Sequence, residues 1–235
     1  MKVIGLIGGM SWESSLDYYK IINQTVRTEL GGQHSAKILM YSVDFDEIER
    51  LQHEDRWDET VNILIDAGRR VENGGADFIL LCTNTMHKVA DALQEALNIP
   101  LVHIVDAAAE EIGRSGISVV GLLGTRFTME QDFYKTRLSS QHGLQVIIPG
   151  EQSRTAVHTI IYDELCRGRI MEQSRSRLVQ IITELESDGA QGVILGCTEL
   201  PMLIGPDDSR LPLFDTTGIH ARKAVALALG GGPLS

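Results

Sequence analysis

An α/β architecture of two pseudo-symmetric domains, each a four-stranded, mainly parallel sheet flanked by helices, follows from three features of the sequence. The chain repeats itself at about half its length, eight short apolar runs read as strands, and longer stretches of helical spacing lie between them. Residues 3–8, VIGLIG, answer residues 119–124, VVGLLG, at an offset of 116. GADFILLCTN from Gly75 answers GAQGVILGCT from Gly189 at an offset of 114, without a gap. Any two buried parallel strands can match once, whereas two matches in the same order at nearly one offset point to duplicated halves.

Taken in order, the opening MKVIGLIGGMSWES is short, glycine-rich and followed at once by Trp12 and Glu13. It lacks a small-residue cleavage pattern and reads as a first strand over 3–7, not a leader. SSLDYYKIINQTVRTEL then has helical spacing, followed by a strand over 38–43. RWDETVNILIDAGRRVENGG is a second helical stretch, ending in the glycine that favours a helix stop. Strands over 78–81 and 101–104 complete the first half, and runs over 118–123, 144–148, 193–195 and 211–214 supply four more. Asp106 and Asp215 each follow a strand and precede a helical run, so both are candidate helix N-caps. Such alternation implies parallel sheets with right-handed crossovers, whose ligands gather at the carboxyl ends of the strands. With no Pro/Gly/Ser linker, residues 1–114 and 115–235 are expected to form two tightly packed domains with the active site in the cleft between them. The C-terminal helix is free to cross over.

Composition sets limits on function. The chain has 235 residues, 43% of them apolar, which is ample for a packed core. Lysine and arginine number 21 against 32 acids, a formal charge of -11, so no sequence-independent hold on nucleic acid or an anionic membrane is expected. An acidic ligand would need local basic groups or backbone N–H groups. The three cysteines, Cys82, Cys166 and Cys197, form no CxxC pair and fit neither a disulfide framework nor a zinc cluster, which favours a reducing cytoplasm. No apolar run approaches membrane-spanning length.

The ungapped repeat sets Leu81 against Leu195, Cys82 against Gly196, Thr83 against Cys197 and Asn84 against Thr198. Side chains alternate along a strand, so Cys82 should point away from the direction that Cys197 takes. Cys82 then reads as a small buried apolar residue, as most free cysteines are. Cys197, at a glycine turn among polar groups, is a thiol whose pKa such groups could lower.

The chain resembles the cofactor-independent aspartate/glutamate racemase family over essentially its whole length. The motifs that carry the resemblance are GLIGGMSW at the start, NTMH at 84–87, LLGTRFTM at 122–129 and GCTE at 196–199. More narrowly it is similar to the enterobacterial L-aspartate/glutamate-specific branch. The resemblance implies two pseudo-symmetric α/β domains, an active site between them, a small acidic amino acid as substrate, neither metal nor pyridoxal phosphate as cofactor, and often a homodimer. That family usually has C-N-T-x-H in the first half and G-C-T-E in the second, with the two cysteines on opposite faces of the substrate Cα. Here the residue before Asn84 is Thr83, as the internal repeat requires. Cys197 is therefore expected as principal base and Thr83 as opposite-face partner, since a base and an acid near neutral pKa favour proton transfer and a threonine hydroxyl is a poor base. The side chains of Asn84, Thr85 and Thr198 could stabilise charge on the α-carboxylate. By resemblance Met10 offers its backbone and Gln52 reads the distal carboxylate, while Thr125 sits where the repeat places Gly9. Core packing for Met10 and a solvated helix face for Gln52 are the competing readings. Arg50, Arg126 and Arg167 are the nearby cations for an acidic side chain. His87 could orient the turn, though a satisfied structural histidine is more frequent. Glu199 could tune Cys197 or cap the following helix.

Three rival functions remain to be weighed. Dinucleotide binding fails on spacing, because Gly5, Gly8 and Gly9 leave G-x-G-x-x-G unmatched. A single-thiol decarboxylase of the same superfamily is favoured by Thr83 and disfavoured by GCTE and NTMH. A non-catalytic dicarboxylate binder would keep the scaffold and lose the proton chemistry.

Overall fold

The computed structural model describes residues 1–231. The chain divides into two compact units, Met1–Ile104 together with the residues from His220 onward, and Val105–Ile219. The first carries β1 (Ile4–Gly8), α1 (Trp12–Leu30), β2 (Ile38–Ser42), α2 (Phe45–His53), α3 (Trp57–Asn73), β3 (Phe78–Leu81), α4 (Ala90–Glu95) and β4 (Leu101–Val102). The chain then runs through α5 (Ile104–Arg114), β5 (Val119–Gly124), α6 (Arg126–Glu130), α7 (Asp132–His142), β6 (Gln145–Ile147), α8 (Glu151–Thr159) and α9 (Glu172–Ser187). β7 (Gly192–Gly196), β8 (Leu213–Asp215) and α10 (Thr216–Ala228) complete it. All eight expected strands form. They make two four-stranded parallel sheets of the same order, β2-β1-β3-β4 and β6-β5-β7-β8.

Each sheet buries the apolar runs that the sequence supplies. In the first unit Ile4, Leu6, Phe78 and Leu80 meet Tyr18, Ile22 and Val26, which share one face of α1 at intervals of four. In the second, Val193 and Leu195 meet Leu178, Ile181, Ile182 and Leu185 of α9. Burial of this kind stabilises by roughly 25 cal/mol per Å² of apolar surface, so these two clusters dominate the energetics.

The unit limits fall at 104/105 and 219/220, against the 114/115 boundary read from the sequence. Ala221, Ala224, Val225 and Ala228 of α10 pack into the first unit's core, where their small side chains allow close approach to the sheet. α5 groups with the second unit, and its Asp106 is tied there to α7. Asp106 is therefore not the N-cap of its helix. It is the third helical residue, and its carboxylate accepts from Arg137 Nε (2.7 Å) and Nη2 (2.6 Å), and pairs with His142 Nε2 (2.9 Å). Asp215 does cap, its Oδ1 accepting from the Thr217 N–H at 3.0 Å. β4 is shorter than the run 101–104, because Ile104 has already entered α5.

Burial alone would push the Asp106 carboxyl up, but hydrogen bonds and charge from Arg137 and His142 outweigh it and hold it below its usual range. A depressed carboxyl stabilises above its unfolded pKa of about 4 and loses that contribution as pH falls through the folded value. Asp106→Asn should cost about 2 kcal/mol at neutral pH. Urea midpoints of the two proteins are expected to converge as the pH is taken below about 4.

Candidate active site

The polar residues singled out by the sequence follow the carboxyl ends of the central strands. β1 and β3 pair with Ile4 opposite Phe78 and Ile7 opposite Leu81. β5 and β7 pair with Val120 opposite Gly192 and Leu123 opposite Leu195. Adding 116 to the first strand and 114 to the second carries one ladder onto the other, so the hydrogen-bond register reproduces the repeat alignment independently. Thr83 and Cys197 are equivalent positions, one in each unit.

In the first unit Cys82 lies with Phe78 and Leu80 on the core face and is fully buried, and its burial pushes the thiol far up. Its N–H donates to Ile7 O, and the next N–H, of Thr83, donates back to Leu81 O, both at 2.9 Å. This tight turn ends the strand and puts Thr83 on the opposite face, 7% exposed. Asn84 (3%) and Thr85 (6%) follow, and Thr85–Val89 forms a single 3₁₀ turn. Gln52 of α2 is 4% exposed, which excludes the solvated helix face. Its Nε2 donates to Met86 Sδ at 2.9 Å, a weak acceptor, and its Oε1 is buried with no hydrogen-bond partner. Met10, 4% exposed, follows Gly9, whose φ of +94° and approach to the Val43 carbonyl leave no room for a Cβ. The Gly9 N–H is held by Ser15 Oγ at 2.8 Å.

In the second unit Thr125, Cys197 and Thr198 follow the adjacent strands β5 and β7. Thr125 caps α6, its hydroxyl accepting from the Thr128 N–H at 3.3 Å. Cys197 shares a face with Val193 and Leu195, and its Sγ–H donates to Glu199 Oε2 at 2.9 Å. Thr198 Oγ1 donates to the same oxygen at 2.8 Å. Glu199 is thus a buried carboxylate placed to tune the thiol, and its side chain makes no cap hydrogen bond to the 3₁₀ turn that follows. The tuning runs against expectation: burial, then the Glu199 charge, then Cys166, raise the thiol well above its ordinary value. One polar group of the turn, the Glu199 backbone, does lower it, but is outweighed because the side chain beside the sulfur is an anion and the sulfur sits in an apolar cluster. Cys166, packed against that cluster, carried no signal in the sequence, since only the folding of the segment after α8 brings it there.

The three candidate cations are engaged in exposed i,i+4 pairs, Arg50 with Glu54 (3.3 Å), Arg126 with Glu130 (3.2 Å) and Arg167 with Asp163 (3.5 Å). Such pairs are worth little and exchange easily for a ligand carboxylate. Among the described residues no group of three or more His, Cys, Asp and Glu side chains is placed to hold a metal ion, and no helix is long and apolar enough to cross a membrane.

A sequence profile described as Asp/Glu/hydantoin racemase matches residues 7–224. The chain belongs to that family. It is 52% identical to a solved Yersinia pestis protein provisionally described as an Asp/Glu racemase, over 97% of this chain and 100% of that one, with a TM-score of 0.91. The aspartate racemase homologue PH1733 of Pyrococcus horikoshii OT3 is 39% identical over 97% and 100% of the two chains, with a TM-score of 0.85. The broad specificity amino-acid racemase RacX of Bacillus subtilis (strain 168) is 29% identical over 73% of this chain and 74% of its own. Arylmalonate decarboxylase, 14% identical at a TM-score of 0.57, shares the fold.

For this racemase-family chain the thiol electrostatics make a direct prediction. Peptide mapping after iodoacetamide treatment of the native protein should find Cys82 unmodified. Cys197 should be alkylated faster as the pH rises, because the thiolate is the nucleophile. Glu199→Gln removes the anionic push and should move that rise to lower pH; an unchanged profile would contradict the Cys197–Glu199 coupling.

Proposed function

We propose that the protein racemises acidic amino acids, aspartate or glutamate, by Cα proton abstraction and reprotonation, with Cys197 as principal base and Thr83 as opposite-face partner. The reading rests on one observation above the others: the strand register makes Thr83 and Cys197 equivalent ends of a duplicated structure, and only Cys197 has a carboxylate placed to take its proton.

Removing a weakly acidic Cα proton needs a strong base at the moment of transfer. Cys197 passes its proton to Glu199 as substrate binds, and the thiolate so formed is the base that takes the Cα proton. A substrate ammonium near the thiolate would offset the burial and charge that oppose its formation. The carbanion's charge spreads into the α-carboxylate, where the side chains of Asn84 and Thr85 and the backbone of Met10 supply donors, and Thr198, whose one hydroxyl proton is given to Glu199, joins them only after Glu199 has taken up the thiol proton. Thr83 Oγ1 delivers a proton to the other face and is reprotonated from water, without existing as a free alkoxide. Gln52, with its buried carbonyl oxygen unpaired, can turn its amide to offer N–H donors to the distal carboxylate, with one of Arg50, Arg126 or Arg167 supplying charge. Thr125 contributes through the backbone of the α6 cap, since its hydroxyl is occupied.

The alternative of a single-thiol decarboxylase draws on the same thiol at Cys197 with a hydroxyl, Thr83, at the equivalent position of the first unit, and it predicts carbon dioxide release from a malonate without Cα exchange on amino acids. A non-catalytic binder would hold aspartate and exchange nothing.

Incubation of aspartate and glutamate in deuterated water, followed by NMR and chiral chromatography, should show Cα exchange with inversion. Cys197→Ser should lower the rate by about 10²–10⁴-fold, and Thr83→Ala should lower it less. No exchange with either amino acid would end the reading. Full progress curves from each pure enantiomer should give unequal kcat values, while kcat/KM matches in both directions because enantiomers are equally stable in achiral water. Equal kcat values would count against unequal roles for the two groups.

A further inference from the structure

Four buried side chains of the first unit take no part in the proton chemistry proposed above: Tyr18, His87, His103 and His220, between 0% and 9% exposed. Their hydrogen bonds fix two tautomers. A peptide N–H can only donate and a carbonyl can only accept. The Ile104 N–H donates to His87 Nε2 at 3.1 Å, so the ring's proton is on Nδ1, which donates to the Thr83 carbonyl at 2.7 Å. His220 Nε2 donates to the Val102 carbonyl at 2.8 Å, so its Nδ1 accepts from the Tyr18 hydroxyl, also at 2.8 Å. The His103 ring meets the His87 ring edge-on at 4.4 Å, and the His220 ring lies 6.1 Å from it. The imidazole of His87 is therefore held in plane by its neighbours and bonded at both ends to the main chain.

The consequence falls on Thr83. Its hydroxyl makes no hydrogen bond among the described residues, so nothing at the side chain's own tip aims it. Direction must come from the backbone and from the stiff χ1 of a β-branched residue. The Thr83 N–H is fixed on Leu81 O, and His87 fixes the carbonyl. The other half does this differently. At the offset of 114 His87 corresponds to Pro201, which offers no donor, and the Cys197 carbonyl accepts instead from the Leu200 N–H at 3.2 Å. A second difference is that Cys197 also has a side-chain partner, Glu199.

We infer that His87 is a positioning residue for Thr83: its Nδ1–H, oriented by the Ile104 N–H on Nε2, holds the Thr83 carbonyl so that the unpartnered hydroxyl keeps one direction. The inference rests on the racemase reading for its catalytic consequence, and on the hydrogen-bond geometry alone for its structural one.

Two near-isosteric variants separate the two ends of the ring. In His87→Asn the amide N–H₂ overlays Nδ1 and keeps the bond to Thr83, losing the one to Ile104. In His87→Gln the amide oxygen reaches the place of Nε2 and keeps Ile104, losing Thr83. A merely structural histidine would make both variants less stable and leave their activities alike per folded molecule. As a positioning residue, His87→Gln should lower kcat by on the order of 10–10²-fold with KM little changed, and His87→Asn should stay within about threefold of wild type. Equal kcat values in the two variants would overturn the inference. Two readouts need no turnover, and the first needs no variant. Histidine ¹⁵N spectra of the wild-type protein should show Nδ1 protonated and Nε2 bare for His87, and the opposite tautomer would refute it. Amide hydrogen exchange over residues 83–86 should accelerate in His87→Gln more than in His87→Asn. If wild type exchanges no Cα hydrogen, the racemase reading fails, and these two measurements still decide whether His87 fixes the turn.

Discussion

Parallel pairing of β1 with β3 and of β5 with β7, each in one register, is the constraint on which the rest of the structure depends. Because side chains alternate along a strand, a slip of one residue would turn Cys82 and Thr83 to each other's faces, and the same would hold at Cys197. The register is held by burial on both faces: Ile4, Leu6, Phe78 and Leu80 against Ile7, Ile79 and Leu81 on the other face in one unit, and Val193 and Leu195 against Leu122 and Ile194 in the other, cannot be displaced without exposing core side chains. Small residues enforce it further. A Cβ on Gly5 would meet the Phe78 carbonyl at 2.9 Å, and one on Gly124 would meet the Gly196 carbonyl at 2.8 Å.

The two equivalent strand ends are chemically unlike. Cys197 is set in an apolar cluster beside a buried carboxylate, an arrangement that makes its thiolate costly to form and strongly basic once formed. The Thr83 hydroxyl has no ionisable partner among the described residues, and the residue is fixed through its backbone, by the N–H on Leu81 O and the carbonyl on His87 Nδ1. An acidic partner at one end and a neutral imidazole tie at the other are what unequal proton-transfer roles would require. The general negative charge of the chain leaves recognition of an acidic ligand to local groups, and the exposed arginine pairs are weak enough to be given up for one.

How far the sequence went differs between fold and site. All eight strands, the parallel sheets and the equivalence of Thr83 with Cys197 were legible, because each rests on periodicity and on a repeat that any reader of the chain can count. The role of Asp106 was misread, since its partners Arg137 and His142 lie about thirty residues away and no local pattern announces them. Gln52 was open between a solvated face and a buried one, which only the packing of α2 over Met86 decides. The direction of the Cys197 shift differs from the sequence expectation, because burial and the Glu199 charge outweigh the backbone hydrogen bond that the turn supplies.

What the sequence determined by itself was the duplicated α/β plan, the family, and which residue types stand at the strand ends, since hydrophobic period and motif spacing are properties of the chain. Only the tertiary structure decided which groups face those residues: Glu199 turned onto Cys197, His87 bridging Thr83 to Ile104, and His220 brought from the far end of the chain onto Tyr18 and Val102. Hydrogen-bond partners and burial depend on three-dimensional proximity, and a residue 202 positions distant leaves no trace in local spacing.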